Sequence, residues 1–166
     1  ATYAYAKKEL GGLDIMINNA GIASSWAKID ELDIEDMRKV YDVNVFGAAM
    51  MGKEAAKIFK AQKGGNIVNI ASTAALNGFE GGTVYSSSKF ALRGLSQTWQ
   101  KELRKSNVRV FNINPSAVPT AFNVSDTSEK EEEANKLTSV EIAHAVIAAL
   151  EMDARGYIPE LSVHAT

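Results

Sequence analysis

A chain of 166 residues, 46% hydrophobic and 23% charged, is sized for one domain with a real core. It contains no cysteine, which excludes a disulfide framework and a thiolate metal site. Its 18 basic and 20 acidic residues nearly balance, which leaves no footprint for nucleic acid, and neither a membrane-spanning apolar run nor a signal peptide is visible.

Strand and helix patterns alternate along the chain without internal repeats, which predicts an α/β fold with a parallel sheet. Ala1–Leu10 reads as the end of a helix. The short apolar run Leu13–Ile17 predicts a strand, and it breaks into Asn18-Asn19-Ala20-Gly21, a turn whose glycine permits positive φ or close approach of a ligand. Asp33 caps a long helix that carries Met37, Val40, Tyr41, Val45, Ala48, Met51 and Ala55 and ends near Lys63-Gly64-Gly65. Asn44 interrupts that run with an amide able to bond main chain or water. Asn66–Ala71 reads as a buried strand delivering Ser72 at its carboxyl end, where open α/β sheets keep their ligands. A second long helix spans about Val84 to Lys105, with Leu92, Leu95, Trp99 and Leu103 at helical spacing. The strand Val108–Ile113 leads into the Pro115 loop. Thr138-Ser139-Val140-Glu141 forms a capping box for a last helix, and Tyr157–Val163 supplies an edge strand.

Tyr85-Ser86-Ser87-Ser88-Lys89 carries the most chemistry. Four residues separate a phenol from an ammonium, so one helical turn places both on one face. An ammonium beside a phenol favours the phenolate, which brings a group that ionises near pH ~10 towards acid-base work at neutrality. Alone, the spacing describes many solvated helix surfaces. Its neighbours in the sequence make it specific.

The ordered set Asn18-Asn19-Ala20-Gly21, Asn44, Ser72, Tyr85 with Lys89, and Asn114–Thr120 closely resembles the short-chain dehydrogenase/reductase family over nearly the whole chain. That resemblance implies an oxidoreductase using NAD or NADP, on a Rossmann-like doubly wound parallel sheet, that interconverts a ketone and a secondary alcohol. It implies Tyr85 as catalytic acid or base, with Ser72 bonding the substrate oxygen. Lys89 would bind the nicotinamide ribose and depress the Tyr85 pKa, and Asn44 would hold a water linking Lys89 to solvent. Asn18, Ala20 and Gly21 match the loop passing the adenine-side ribose. Pro115, Val118 and Thr120 match the segment at the nicotinamide, with Ser116 where the family usually has glycine. Ala74 and Phe79, with Trp26 and the loop from Ala121 to Lys136, are the positions expected to choose a small carbonyl or alcohol substrate. A 3-oxoacyl or general carbonyl reductase is the specific expectation.

The family's opening strands and glycine-rich pyrophosphate turn have no counterpart in these residues, so residues 1–166 are expected to be the C-terminal two-thirds of a single domain. In the family sheet order 3-2-1-4-5-6-7, the Leu13–Ile17 strand would then be left as an exposed edge. Cofactor preference belongs to the segment without a counterpart. Apolar positions on the two long helices predict pairing into a homodimer or homotetramer, and a cytoplasmic location without membrane or nucleic-acid partners is expected. Two other readings compete. One is a non-catalytic Rossmann-like scaffold; the other takes Ser86-x-x-Lys89 as an acyl-transfer motif. His144 and His164 read as solvated, Met50 and Met51 as core or interface, and the acidic run Glu129–Glu133 as a solvated helix start above the substrate. Asn123-Val124-Ser125 fits a glycosylation sequon without secretory context.

Overall fold

The computed structural model describes residues 2–120, 122, 133, 135–153 and 155–166. Four strands, β1 (Ile15–Asn18), β2 (Gly65–Ile70), β3 (Val108–Pro115) and β4 (Glu160–Val163), pair in chain order, all parallel. Helices α1 (Thr2–Leu10), α2 (Ile34–Tyr41), α3 (Ala48–Gln62), α4 (Thr83–Leu103) and α5 (Ser139–Leu150) supply the crossovers and cover.

Alternation along the strands separates two cores. Met16, Ile67 and Val110 face one side and pack with Ala55 and Phe59 of α3 and Leu103 of α4. Val68, Phe111 and Ile113 face the other side and pack with Val146 and Ala149 of α5. Helices on both faces make the sheet doubly wound. The arrangement is Rossmann-like, as the alternating pattern predicts. On β1, Ile15 and Ile17 share the α5 side but lie beyond its reach, 42% and 51% exposed at the sheet edge.

The long helix expected from Asp33 is three pieces. Asp33 caps it as predicted, its Oδ1 accepting from the Glu35 and Asp36 amides at 2.8 and 3.2 Å. Between α2 and α3, residues Asp42–Gly47 form a π-helix, the widened turn that accommodates one extra residue. The distortion falls on Asn44, which is buried and tied to the Ile22 main chain. Lys63, rather than a glycine, takes the left-handed position after α3, with φ 55°. Strand ends also move by two to three residues. Tyr157–Pro159 precede β4, while β3 continues through Asn114 to Pro115.

Beneath α4 runs a row of polar side chains that the sequence does not announce. Asn18, Asn69 and Asn112 are register neighbours on adjacent strands, all buried. Asn18 Nδ2 donates to Asn69 Oδ1 at 2.8 Å, and Asn69 Nδ2 donates to Ser96 Oγ of α4 at 2.8 Å. Asn112 Nδ2 donates to Asn114 Oδ1 and Asn114 Nδ2 to Glu160 Oε1, at 2.8 and 2.9 Å. Arg93 of α4 closes the row on Glu160 through two bonds of 2.6 and 3.2 Å. Buried amides need partners, and these find one another only in one register. Among the described residues no helix is long and apolar enough to cross a membrane.

Candidate active site

The loops at the carboxyl ends of β1, β2 and β3 open onto one cleft of about 1430 Å³. Ser72 stands two residues beyond β2 in an extended conformation, and its Oγ accepts the Ala74 amide at 3.1 Å. That bond turns the chain into a short 3₁₀ turn and fixes the hydroxyl at the sheet end. Tyr85 lies in the first turn of α4, and its ring lines the same cleft as Ser72, close enough for the hydroxyl of Ser72 to favour the phenolate. Lys89 follows one turn later and is 4% exposed. Its Nζ donates to Ile70 O, the last residue of β2, at 3.0 Å and sits 5.7 Å from the Tyr85 ring centroid.

The electrostatics differ from the sequence expectation in one respect. Burial raises the Tyr85 pKa above its ordinary value of 10.0, and the Ser72 hydrogen bond offsets this in part. Burial acts on Lys89 itself, bringing the ammonium from 10.5 to about 8. Its Nζ hydrogen-bonds a backbone carbonyl and lies over the Tyr85 ring, so burial dominates at both groups.

The Asn44 side chain is held on three bonds. Its Oδ1 accepts from the Ile22 amide at 2.9 Å, and its Nδ2 faces Ile22 O at 2.9 Å and Ser88 Oγ at 3.0 Å. Ser88 in turn donates to Tyr85 O at 2.7 Å. The side chain therefore pins the Gly21–Ile22 loop to the helix that carries Tyr85. Asn18, expected at the cofactor, points instead into the polar row and donates to Ala48 O at 3.3 Å. Its neighbours Asn19, Ala20 and Gly21 line the cleft. So do Ala74, Phe79, Trp26, Pro115, Val118 and Thr120. Sequence reasoning missed the aromatic contact of Phe122, whose ring centroid is 5.8 Å from that of Tyr85. A lone phenylalanine in a loop carries no signal for it.

Several other expectations resolve simply. Ser86 is 5% exposed and its Oγ has no partner among the described residues; it does not line the cleft, so the Ser86–Lys89 acyl-transfer reading has no accessible nucleophile. His144 and His164 are exposed. The Asn123-Val124-Ser125 sequon and the acidic run up to Glu132 lie outside the described residues.

Residues 1–131 match the family model described as short chain dehydrogenase. An uncharacterized oxidoreductase of Staphylococcus aureus is 34% identical over 160 residues, covering 95% of this chain and 67% of that protein. The NADP-dependent 3-hydroxy acid dehydrogenase of Schizosaccharomyces pombe is 31% identical over 150 residues, covering 86% and 58%. Among solved structures, an alcohol dehydrogenase from the archaeon Thermococcus sibiricus, complexed with 5-hydroxy-NADP, superposes with a TM-score of 0.87 at 25% identity, covering 99% of this chain and 68% of that one. This chain belongs to the short chain dehydrogenase family. It is an oxidoreductase of the nicotinamide-dependent kind, and the non-catalytic scaffold reading is not favoured.

Proposed function

We propose that this protein reduces a ketone to a secondary alcohol, or runs the reverse reaction, with Ser72 and Tyr85 holding the reacting oxygen. The observation that carries this reading is Ser72 and Tyr85 lining one cleft at the sheet's carboxyl end, with Lys89 one helical turn behind and anchored to Ile70 O. The residues fit a nicotinamide cofactor. An ammonium has three donors, and Lys89 Nζ gives one to Ile70. Gly21 leaves the space beside it open: a Cβ there would stand 3.4 Å from both Lys89 Nζ and Asn44 Oδ1. Lys89 would hold the ribose, the Asn19–Gly21 loop would flank it, and Pro115, Val118 and Thr120 would face the nicotinamide.

The bound cofactor supplies hydride to the carbonyl carbon. Everything else falls to this chain. Ser72 Oγ and the Tyr85 hydroxyl bind the carbonyl oxygen and polarise it, and Tyr85 gives that oxygen the proton that completes the alcohol. The Ser72 hydrogen bond then stabilises the tyrosinate. Lys89 is suited to resupply the proton, since burial already weakens its hold on one. The names of the fission yeast and archaeal relatives share chemistry at a carbinol carbon, which supports the ketone–alcohol class.

The same proposal includes a homodimer or homotetramer built on α3 and α4. Phe46 and Met50 are 56% and 64% exposed, and a groove of about 540 Å³ runs beside Leu95 and Trp99. A cytoplasmic location belongs to the same proposal. Continuation of the sheet past β1 belongs here too, supported by the uncovered Ile15 and Ile17. The decisive experiment titrates the full-length protein with NADH and NADPH and follows cofactor oxidation against a panel of ketones. Binding of neither cofactor overturns the reading.

A further inference from the structure

Three aromatic side chains stand at the open end of the cleft around Tyr85. Trp26 meets Tyr85 edge to face, centroids 5.9 Å apart at 89°, and meets Phe79 at 5.5 Å and 60°. Phe122 closes on Tyr85 from another direction at 5.8 Å. Trp26, Phe79 and Phe122 are 53%, 48% and 39% exposed, so much ring surface at this mouth is uncovered. The Trp26 segment is held there by main chain: Ala27 bridges Gly82, immediately before α4. A Cβ on Gly82 would lie 2.7 Å from the Phe79 ring, so the glycine is what lets that ring fold over the helix start.

Among the described residues, the charges beside Trp26 and Phe79 and in the cleft lining near Phe122 are paired. Lys28 faces Glu80 at 3.0 Å, and Lys136 faces Glu133 at 2.7 Å. Among the described residues no arginine lines the cleft, and Lys89 is buried with its Nζ anchored to Ile70 O. A carboxylate entering here would have to displace an acidic neighbour and would desolvate against ring faces, whose quadrupoles repel anions.

We propose that this mouth selects neutral carbonyl compounds bearing an aromatic or similarly flat apolar group, and discriminates against carboxylates, with Trp26 and Phe79 as the specificity-determining residues. The inference deepens the carbonyl reductase reading and rests on it for turnover. Its binding part does not need that reading.

The test compares acetophenone with acetoacetate in the full-length protein, by turnover and by tryptophan fluorescence. Trp26 and Trp99 are the two tryptophans of these 166 residues, and Trp99 lies away from the cleft against Gly52 of α3, so the Trp26→Phe variant isolates the Trp26 signal. Acetophenone should give kcat/KM at least about tenfold above acetoacetate and should quench Trp26 saturably. Trp26→Ala should lower the acetophenone value about tenfold, mostly through KM, with Trp26→Phe restoring it and the acetoacetate value falling by much less. Because Trp26 is half exposed, Tm should hold in these variants. Equal or better use of acetoacetate overturns the proposal, as does an unchanged acetophenone KM in both Trp26→Ala and Phe79→Ala. If neither ketone turns over while quenching persists and Trp26→Phe removes it, the reductase reading fails and the aromatic site stands. Absence of both turnover and quenching overturns the site.

Discussion

Lys89 keeps an ammonium where water barely reaches, and that has a consequence for stability. Its folded pKa of about 8 lies below the ordinary 10.5, so between those values the unfolded chain binds more protons than the folded one. Stability gained at this group is therefore complete above about pH 10.5 and is lost as pH falls through 8. The span is on the order of 3 kcal/mol, at about 1.4 kcal/mol per pH unit. Lys89→Met should remove that slope: the difference in urea midpoint between wild type and variant should change steadily from pH 8 to 10.5, and a constant difference would contradict the burial argument. Tyr85→Phe removes one oxygen and no packing. Turnover should fall by about 10² to 10⁴ while Tm changes little, and a variant turning over like wild type would exclude Tyr85 as the proton donor.

At the scale of the element, α4 is where chemistry and packing meet. Tyr85, Lys89 and Arg93 follow at intervals of four, and Ser96 and Gln100 continue the stripe onto the sheet. Each is tied down by a polar partner: Lys89 by Ile70, Arg93 by Glu160, Ser96 by Asn69 and Gln100 by Val110 and Pro159. The π-helix contributes from the other side, because its widened turn is what carries Asn44 to Ile22 and Ser88. Asn44→Leu keeps the volume but strands the Ile22 amide and carbonyl. It should cost about 2 to 4 kcal/mol in chemical denaturation and weaken NAD(P)H binding, and a variant as stable as wild type would show the amide to be dispensable. Gly52 makes a second, purely steric point. A Cβ there would sit 2.5 Å from the Trp99 ring, so Gly52→Ala should lower stability by about 1 to 3 kcal/mol as Trp99 is displaced, read from the same denaturation curves.

For the whole molecule, the two faces of the sheet are unequally covered. Asn18 and Met16 turn under α3 and α4, while Ile15 and Ile17 turn towards α5 and find nothing above them among the described residues. A parallel edge strand with uncovered isoleucines is a template for pairing with other chains. The 166-residue polypeptide by itself should therefore scatter light as aggregates, and Ile15→Thr with Ile17→Lys should reduce that scattering. Equal solubility of both would mean that the edge is protected. The α3–α4 surface makes a different prediction for the full-length protein. Met50→Glu should convert a dimer or tetramer to smaller species in size-exclusion light scattering, and an oligomer indifferent to a charge at that position would place the interface elsewhere.

What the sequence by itself determined is local or periodic. Apolar runs and caps marked all four strands and the principal helices, because burial period and capping act within a few residues. The Tyr85–Lys89 spacing is likewise an i, i+4 fact that any helix enforces. Ser72 was legible because a hydroxyl after a buried strand has one place to go. What only the tertiary structure decided depends on partners distant in the chain. Asn18 reads as a ligand residue and is instead paired 51 positions away with Asn69. Asn44 reads as a break in a helix, and its three partners lie 22 and 44 residues off. The Tyr85 pKa could not be inferred from its lysine neighbour, since its direction is set by how deeply the phenol is buried, offset in part by Ser72. Burial and register are sums over the whole fold, and no window of the sequence contains them.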